Sequence, residues 1–275
     1  MISKISETIQ LLSGGLTQYL IEKPITIPFE NAIICSQLNE QSVYSNLRTL
    51  SKKNLLYKSL PCSIFNVIPI TLSQQLSIQL IQSSWNKLNV LKQSKEKKTI
   101  KNLFSKKEKN QNEMNQTYPM MLTTNILSTL LCYPFIRKEI EMKTKYCQHL
   151  TCSIPKSPRF RFDSIGFNIL RNSMYMSSEY FLIKYLSEKD TFKNSQYKHT
   201  KMNAITSSVS TIVSHPFNVM FIKSLHNCKL SFNPKVLFKG IGSELLLNVS
   251  LSSFYGFLMD KYVESQKQKK KFFFF

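Results

Sequence analysis

Three Pro-Phe pairs constrain this chain more than any other feature: Pro28-Phe29, Pro134-Phe135 and Pro216-Phe217. Each closes a stretch of small, apolar and hydroxyl residues, over 9–27, 120–133 and 204–215. The intervals are 106 residues (134 − 28) and 82 residues (216 − 134), and the longer one holds a polar insert at 84–116. A single pair carries no information. Three in the same context are an internal repeat, and repeated units of this kind bury a face only by packing on one another. Proline inside a helix removes one backbone hydrogen bond and bends the axis. Three copies therefore predict three helices broken at equivalent places.

After each pair comes a polar, basic stretch, then a second apolar segment with its own lead-in. The lead-ins are Tyr57-Lys58-Ser59-Leu60, Phe162-Asp163-Ser164-Ile165-Gly166 and Phe238-Lys239-Gly240-Ile241. The chain thus reads as three helix-loop-helix repeats: 1–83, 117–190 and 198–265. Six helices are predicted, over about 5–30, 60–83, 118–138, 164–187, 201–222 and 241–263, each long enough to cross about 30 Å of hydrocarbon. Ser, Thr, Asn and Gln recur within them, as in Ser73-Gln74-Gln75 and Thr123-Thr124-Asn125. Such residues are costly against lipid and demand helix neighbours or a wet interior.

Composition narrows the function classes. The formal charge is +21, and the Lys/Asn-rich segment 84–116 reads as a disordered loop between repeats one and two. The tail 266–275 joins lysines to four phenylalanines and suits a membrane surface. No zinc-finger spacing, aromatic-glycine RNA motif or helix-turn-helix pattern accompanies the basic charge, so nucleic acid is not the expected partner. Anionic lipid, cardiolipin included, and an anionic solute are. Cys35, Cys62, Cys132, Cys147, Cys152 and Cys228 form no CxxC pair and predict neither a disulfide framework nor a metal site. No phosphate loop, nucleophile elbow or His-Glu metal motif is present, so neither an enzyme nor a cofactor is expected.

The sequence Gly14-Gly15, Pro28-Phe29-Glu30 and Gln37, with the lead-ins Tyr57-Lys58 and Phe238-Lys239-Gly240, resembles the mitochondrial carrier family. The resemblance spans nearly the whole chain apart from 84–116 and the tail. It implies an all-α membrane protein of six tilted transmembrane helices with threefold pseudo-symmetry, in the mitochondrial inner membrane. The implied activity is alternating-access transport of a small anionic metabolite by a monomer.

The family pattern Pro-x-acidic-x-x-basic is incomplete in every repeat. Its acidic and basic positions hold Glu30 and Ile33, then Ile136 and Glu139, then Asn218 and Phe221, after Pro28, Pro134 and Pro216 respectively. The cytoplasmic-side pattern is also lost: Gln79 and Gln82, then Lys184 and Ser187, fill its columns, and Asp260 stands one residue from its own. The family's contact columns fall on Asn66, on Arg171 with Asn172, and on Leu247. Arg171 is a lone cation in an apolar segment, and its planar fork matches a carboxylate or a phosphate. An Arg followed by a small polar residue at this column resembles carriers of carboxylic acids. The other function class is a non-transporting homologue of the outer mitochondrial membrane, acting in membrane dynamics or protein insertion. The degenerate gate positions favour it; Arg171 and Gln37 favour transport.

Overall fold

The computed structural model of the chain describes residues 2–39, 41–96, 106–145, 162–193, 195 and 197–272. Among the described residues every regular element is a helix: α1 (Ile2–Asn39), α2 (Val43–Lys52), α3 (Leu60–Glu96), α4 (Lys106–Thr144), α5 (Phe162–Glu188), α6 (Asp190–Lys193), α7 (Lys198–Leu225), α8 (Pro234–Leu237) and α9 (Ile241–Phe272). Each of the six apolar segments lies in one of the long helices. The first and third repeats share an order, long helix, short helix, long helix, as α1-α2-α3 and α7-α8-α9. The corresponding connection in the second repeat, 146–161, lies outside the described residues.

Two expectations change. The helices are not broken at the Pro-Phe pairs: α1, α4 and α7 continue through Pro28, Pro134 and Pro216. A proline removes one rung, and helices of 28 to 39 residues keep the rest of their ladder. Much of the 84–116 segment is also helical, because α3 runs to Glu96 and α4 starts at Lys106. Lys, Glu and Gln are good helix formers, so this composition extends the flanking helices instead of ending them. Residues 97–105 lie outside the described part.

By contacts the chain divides into two compact units, Met1–Pro24 with Ser59–Ile140, and Ile25–Lys58 with Glu141–Phe275. In the first, α3 and α4 are clasped by buried polar bonds. Ser63 donates to Glu139 Oε1 at 2.9 Å, and Asn66 Nδ2 donates to the Phe135 carbonyl at 3.0 Å. Leu60–Trp85 and Tyr118–Thr144 are both long and apolar enough to cross a membrane.

In the second unit α7 packs between α5 and α9. Both ends of α7 have identifiable causes. Its first turn lacks a cap of its own, and Asp260 of α9 accepts from the His199 and Thr200 amides at 3.0 Å each and from the Thr200 hydroxyl at 2.7 Å. The orphan donors of a helix start are thereby satisfied from another helix. Its last turn closes in a Schellman pattern: Asn227 takes φ +61°, and the Cys228 amide reaches back to the Lys223 carbonyl at 2.9 Å. Gly256 lets α9 approach α7 at this capped end, since a Cβ there would stand 2.6 Å from Thr200 Cα.

The end of α1 carries α2 through an apolar cluster of Ala32, Cys35 and Leu50 with Val43, Leu47, Leu55 and Leu56. Gly240 adopts φ +81°, and a Cβ there would meet the Ile33 and Val43 side chains at 3.7 and 3.8 Å. That left-handed turn explains the glycine of the Phe238-Lys239-Gly240 lead-in. Cys35 corrects the expectation of no disulfide framework: it is disulfide-bonded, which the lack of CxxC spacing did not exclude.

Within each unit the helices are inverted relative to a water-soluble bundle. On α3, Phe65, Ile68, Leu72, Leu76 and Leu80 form one exposed stripe, with Phe65 75% exposed, while Ser63, Asn66 and Ser77 are buried. On α7, Ile205, Val209 and Ile212 face outward, and Thr206, Ser207, Ser210, Thr211 and Ser214 face inward. These side chains are part-exposed, so each forgoes only a share of the about 1.5–3 kcal/mol that full burial in water would contribute.

Candidate solute site and gate positions

Arg171 lies on α5 and is partly buried. Its Nε donates to Asn172 Oδ1 at 3.0 Å, and its Nη1 donates to Asn218 Oδ1 of α7 at 3.0 Å. Its guanidinium sits 5.5 Å from the centre of the Phe221 ring. The two amides and the aromatic face fix the plane of the fork, as cation-π contacts and paired amides do for Arg generally. An arginine has five N–H donors. Among the described residues no carboxylate lies within ion-pairing distance of it, so the remaining donors suit an anion from outside the chain.

Asn218 links Arg171 to an acid–base pair. Its Nδ2 donates to both Glu244 oxygens at 3.4 Å. Glu244 in turn meets His215 Nδ1 at 2.7 Å, and His215 Nε2 meets the Lys239 carbonyl at 3.0 Å. His215 is fully buried and stacks on Phe238. The order Arg171–Asn218–Glu244–His215 thus runs across three helices, α5, α7 and α9.

Other predicted positions have different surroundings. Asn172 joins Arg171 directly. Leu247 on α9 is half-buried, with no polar role. Asn66 belongs to the other unit, where its amide is spent on Phe135 and lies 3.6 Å from Cys62 Sγ. It therefore serves as a clasp between α3 and α4. Glu139, at the second repeat's basic position, is buried and accepts from Ser63. Gln37 is buried, and neither end of its amide has a hydrogen-bond partner among the described residues.

Glu30, the acidic position of the first repeat, has a cation beside it. Its carboxylate is ion-paired with Lys143 of α4 and accepts from Thr26 Oγ1 at 2.8 Å. Lys143 stands four residues beyond Glu139, one helical turn further along the same face. The cation missing from the expected column is present one turn away. Its offset from Pro134 is nine residues (143 − 134), the offset of Gln37 from Pro28 (37 − 28). That offset, and the four-residue step, were the available signals.

His215 and Glu244 were not singled out by sequence reasoning. The signals were a histidine directly before the third Pro-Phe pair and an acid in an otherwise apolar helix start. Asp260, read as a displaced motif residue, is instead the cap of α7. No protein-family model matches the chain, and no curated protein matches it either.

Proposed function

We propose that the chain is a carrier-like transporter of the mitochondrial inner membrane, moving a small anion, a carboxylate by preference, by alternating access. The observation that carries this reading is Arg171: a cation set among inverted helices, oriented by Asn172, Asn218 and Phe221, with donors left for an incoming acid. The exposed apolar stripes support the membrane setting. The Glu30–Lys143 pair supports a gate, because an interhelical ion pair whose attraction nearly cancels its desolvation can open and close at little cost. The shared order of the first and third repeats supports the six-helix carrier arrangement.

Two amides, Asn172 and Asn218, around one guanidinium favour a solute with a single carboxylate or phosphate group at this point. The remaining solute is bound by other groups. The non-transporting reading draws on Glu139 and Asn218, which occupy the second basic and third acidic positions with other chemistry.

Ligand stabilisation of the purified, detergent-solubilised protein separates the two readings. A bound solute at a hundred times its dissociation constant adds about 2.7 kcal/mol to stability. Pyruvate, succinate, citrate, inorganic phosphate and nucleotides form the panel. A rise in melting temperature with a carboxylate, absent in Arg171→Ala, supports the transporter; no rise with any solute supports the non-transporting homologue.

A further inference from the structure

The His215 ring poses a question of proton counting. A backbone carbonyl only accepts, so the contact from Nε2 to the Lys239 carbonyl requires a proton on Nε2. In a neutral imidazole that leaves Nδ1 with a bare lone pair. Nδ1 nevertheless lies 2.7 Å from Glu244 Oε2, and an ionised carboxylate offers only lone pairs as well. A neutral imidazole facing a carboxylate would place two acceptors in contact. The observed geometry therefore holds one further proton, on Nδ1 or on Oε2. The pair shares it, and in either arrangement its total charge is zero.

Removing that proton leaves the pair with one negative charge. The change is transmitted towards Arg171, because Asn218 donates to Glu244 with its Nδ2 and accepts from Arg171 with its Oδ1. With the proton in place the cluster carries the net positive charge of Arg171 and attracts an anion. Without it, Glu244 offsets Arg171 and the attraction falls. We propose that His215 and Glu244 form a proton-binding site whose occupancy favours an anion at Arg171, so that the solute and a proton cross together. This inference rests on the transporter reading and adds the coupling ion to it.

The surroundings fit one exchangeable proton. The His215 side chain is 0% exposed and that of Glu244 18% exposed, so the carboxylate is the more accessible member of the pair. From α5, Arg171 reaches Asn218, and Tyr175 lies in the field of both Glu179 and Glu244. Lys223 lies two turns further along α7, and Lys239 contributes its carbonyl ahead of α9. α8 carries Lys235, whose side chain is exposed. From α1 and the start of α2, Ile33 and Val43 bring only apolar groups to Gly240. By linkage, a proton that strengthens anion binding is itself bound more tightly when the anion is present. The two ligands move as one neutral load when the anion is singly charged.

The test uses the full chain in liposomes with labelled pyruvate, succinate and inorganic phosphate, protein-free vesicles supplying the background. Homoexchange is measured first at equal pH on both faces, then net accumulation with the lumen made alkaline. One-to-one coupling of a monoanion to a proton predicts about tenfold greater accumulation for each unit of pH difference. Glu244→Gln and His215→Gln should exchange more slowly and lose the dependence on lumen pH. Exchange by the wild-type protein with accumulation indifferent to pH overturns the proton site and leaves the transporter reading intact. No exchange of any probe overturns the transporter reading, and the inference falls with it.

Discussion

Glu30 on α1 is ion-paired to Lys143 on α4, two residues 113 positions apart and both largely buried. Only 6% of the Lys143 side chain is exposed and 20% of that of Glu30, so neither charge is well solvated. Removing one partner takes the opposite charge away from a poorly solvated one, which is more costly than removing both. Lys143→Met is expected to destabilise the protein by about 3 kcal/mol. The exchange Glu30→Lys with Lys143→Glu should restore most of it. Thermal unfolding in detergent reads both values. Equal loss in the single and the exchanged variants would show that packing, not the pair, is responsible.

The helices were legible because their apolar length and the three proline positions do not depend on tertiary contacts. That Arg171 needs partners inside the chain was legible for the same reason: a cation in an apolar helix has few acceptable surroundings. The Glu30–Lys143 pair was not, because Lys143 lies one turn outside the expected column and only packing selects it. His215 and Glu244 escaped notice because each is ordinary alone; the information is their 2.7 Å contact. The bond from the Asn66 amide to the Phe135 carbonyl was not legible either, since it depends on the packing of α3 against α4.

The approach of α9 to α7 makes a second stability prediction. A Cβ at Gly256 would meet Thr200 Cα at 2.6 Å and the His199 carbonyl at 2.7 Å, both backbone groups that cannot rotate away. Gly256→Ala should cost about 1–3 kcal/mol through overpacking. Asp260→Ala, four residues further on, should cost about 1 kcal/mol by uncapping α7. Both changes are read by melting temperature, and protection of the 199–201 amides in hydrogen exchange should fall with each. Unchanged protection would contradict the cap.

His226 supplies a pH dependence. It closes α7, is fully buried, and burial pushes its imidazole down to about 4 from an ordinary value of 6.5. Neither ring nitrogen has a hydrogen-bond partner among the described residues. The unfolded chain takes up a proton at this group below about pH 6.5 while the folded one resists until about pH 4. The stability contribution is therefore complete above pH 6.5 and declines as pH falls to about 4, by on the order of 3 kcal/mol. His226→Gln should flatten that part of the stability–pH curve. An unaltered slope in the variant would assign the dependence elsewhere.

Replacing Arg171 probes the solute site against its closest substitute. Lys keeps the charge but not the planar fork that Asn172, Asn218 and Phe221 hold. Arg171→Lys should retain weakened binding, and Arg171→Ala should lose about 1.5–3 kcal/mol of affinity, roughly a tenfold to hundredfold effect. Titration of the panel solutes against the protein's melting temperature measures the order, wild type above Lys above Ala. Equal affinity in all three would place the solute away from Arg171.

Uptake of labelled carboxylates into liposomes holding the purified protein tests the central claim most directly. Wild-type protein should accumulate at least one of pyruvate, succinate or citrate above protein-free vesicles, and Arg171→Ala of equal reconstituted amount and intact fold should not. Wild-type uptake that survives Arg171→Ala unchanged, or no uptake of any solute by the wild type, would contradict the assignment.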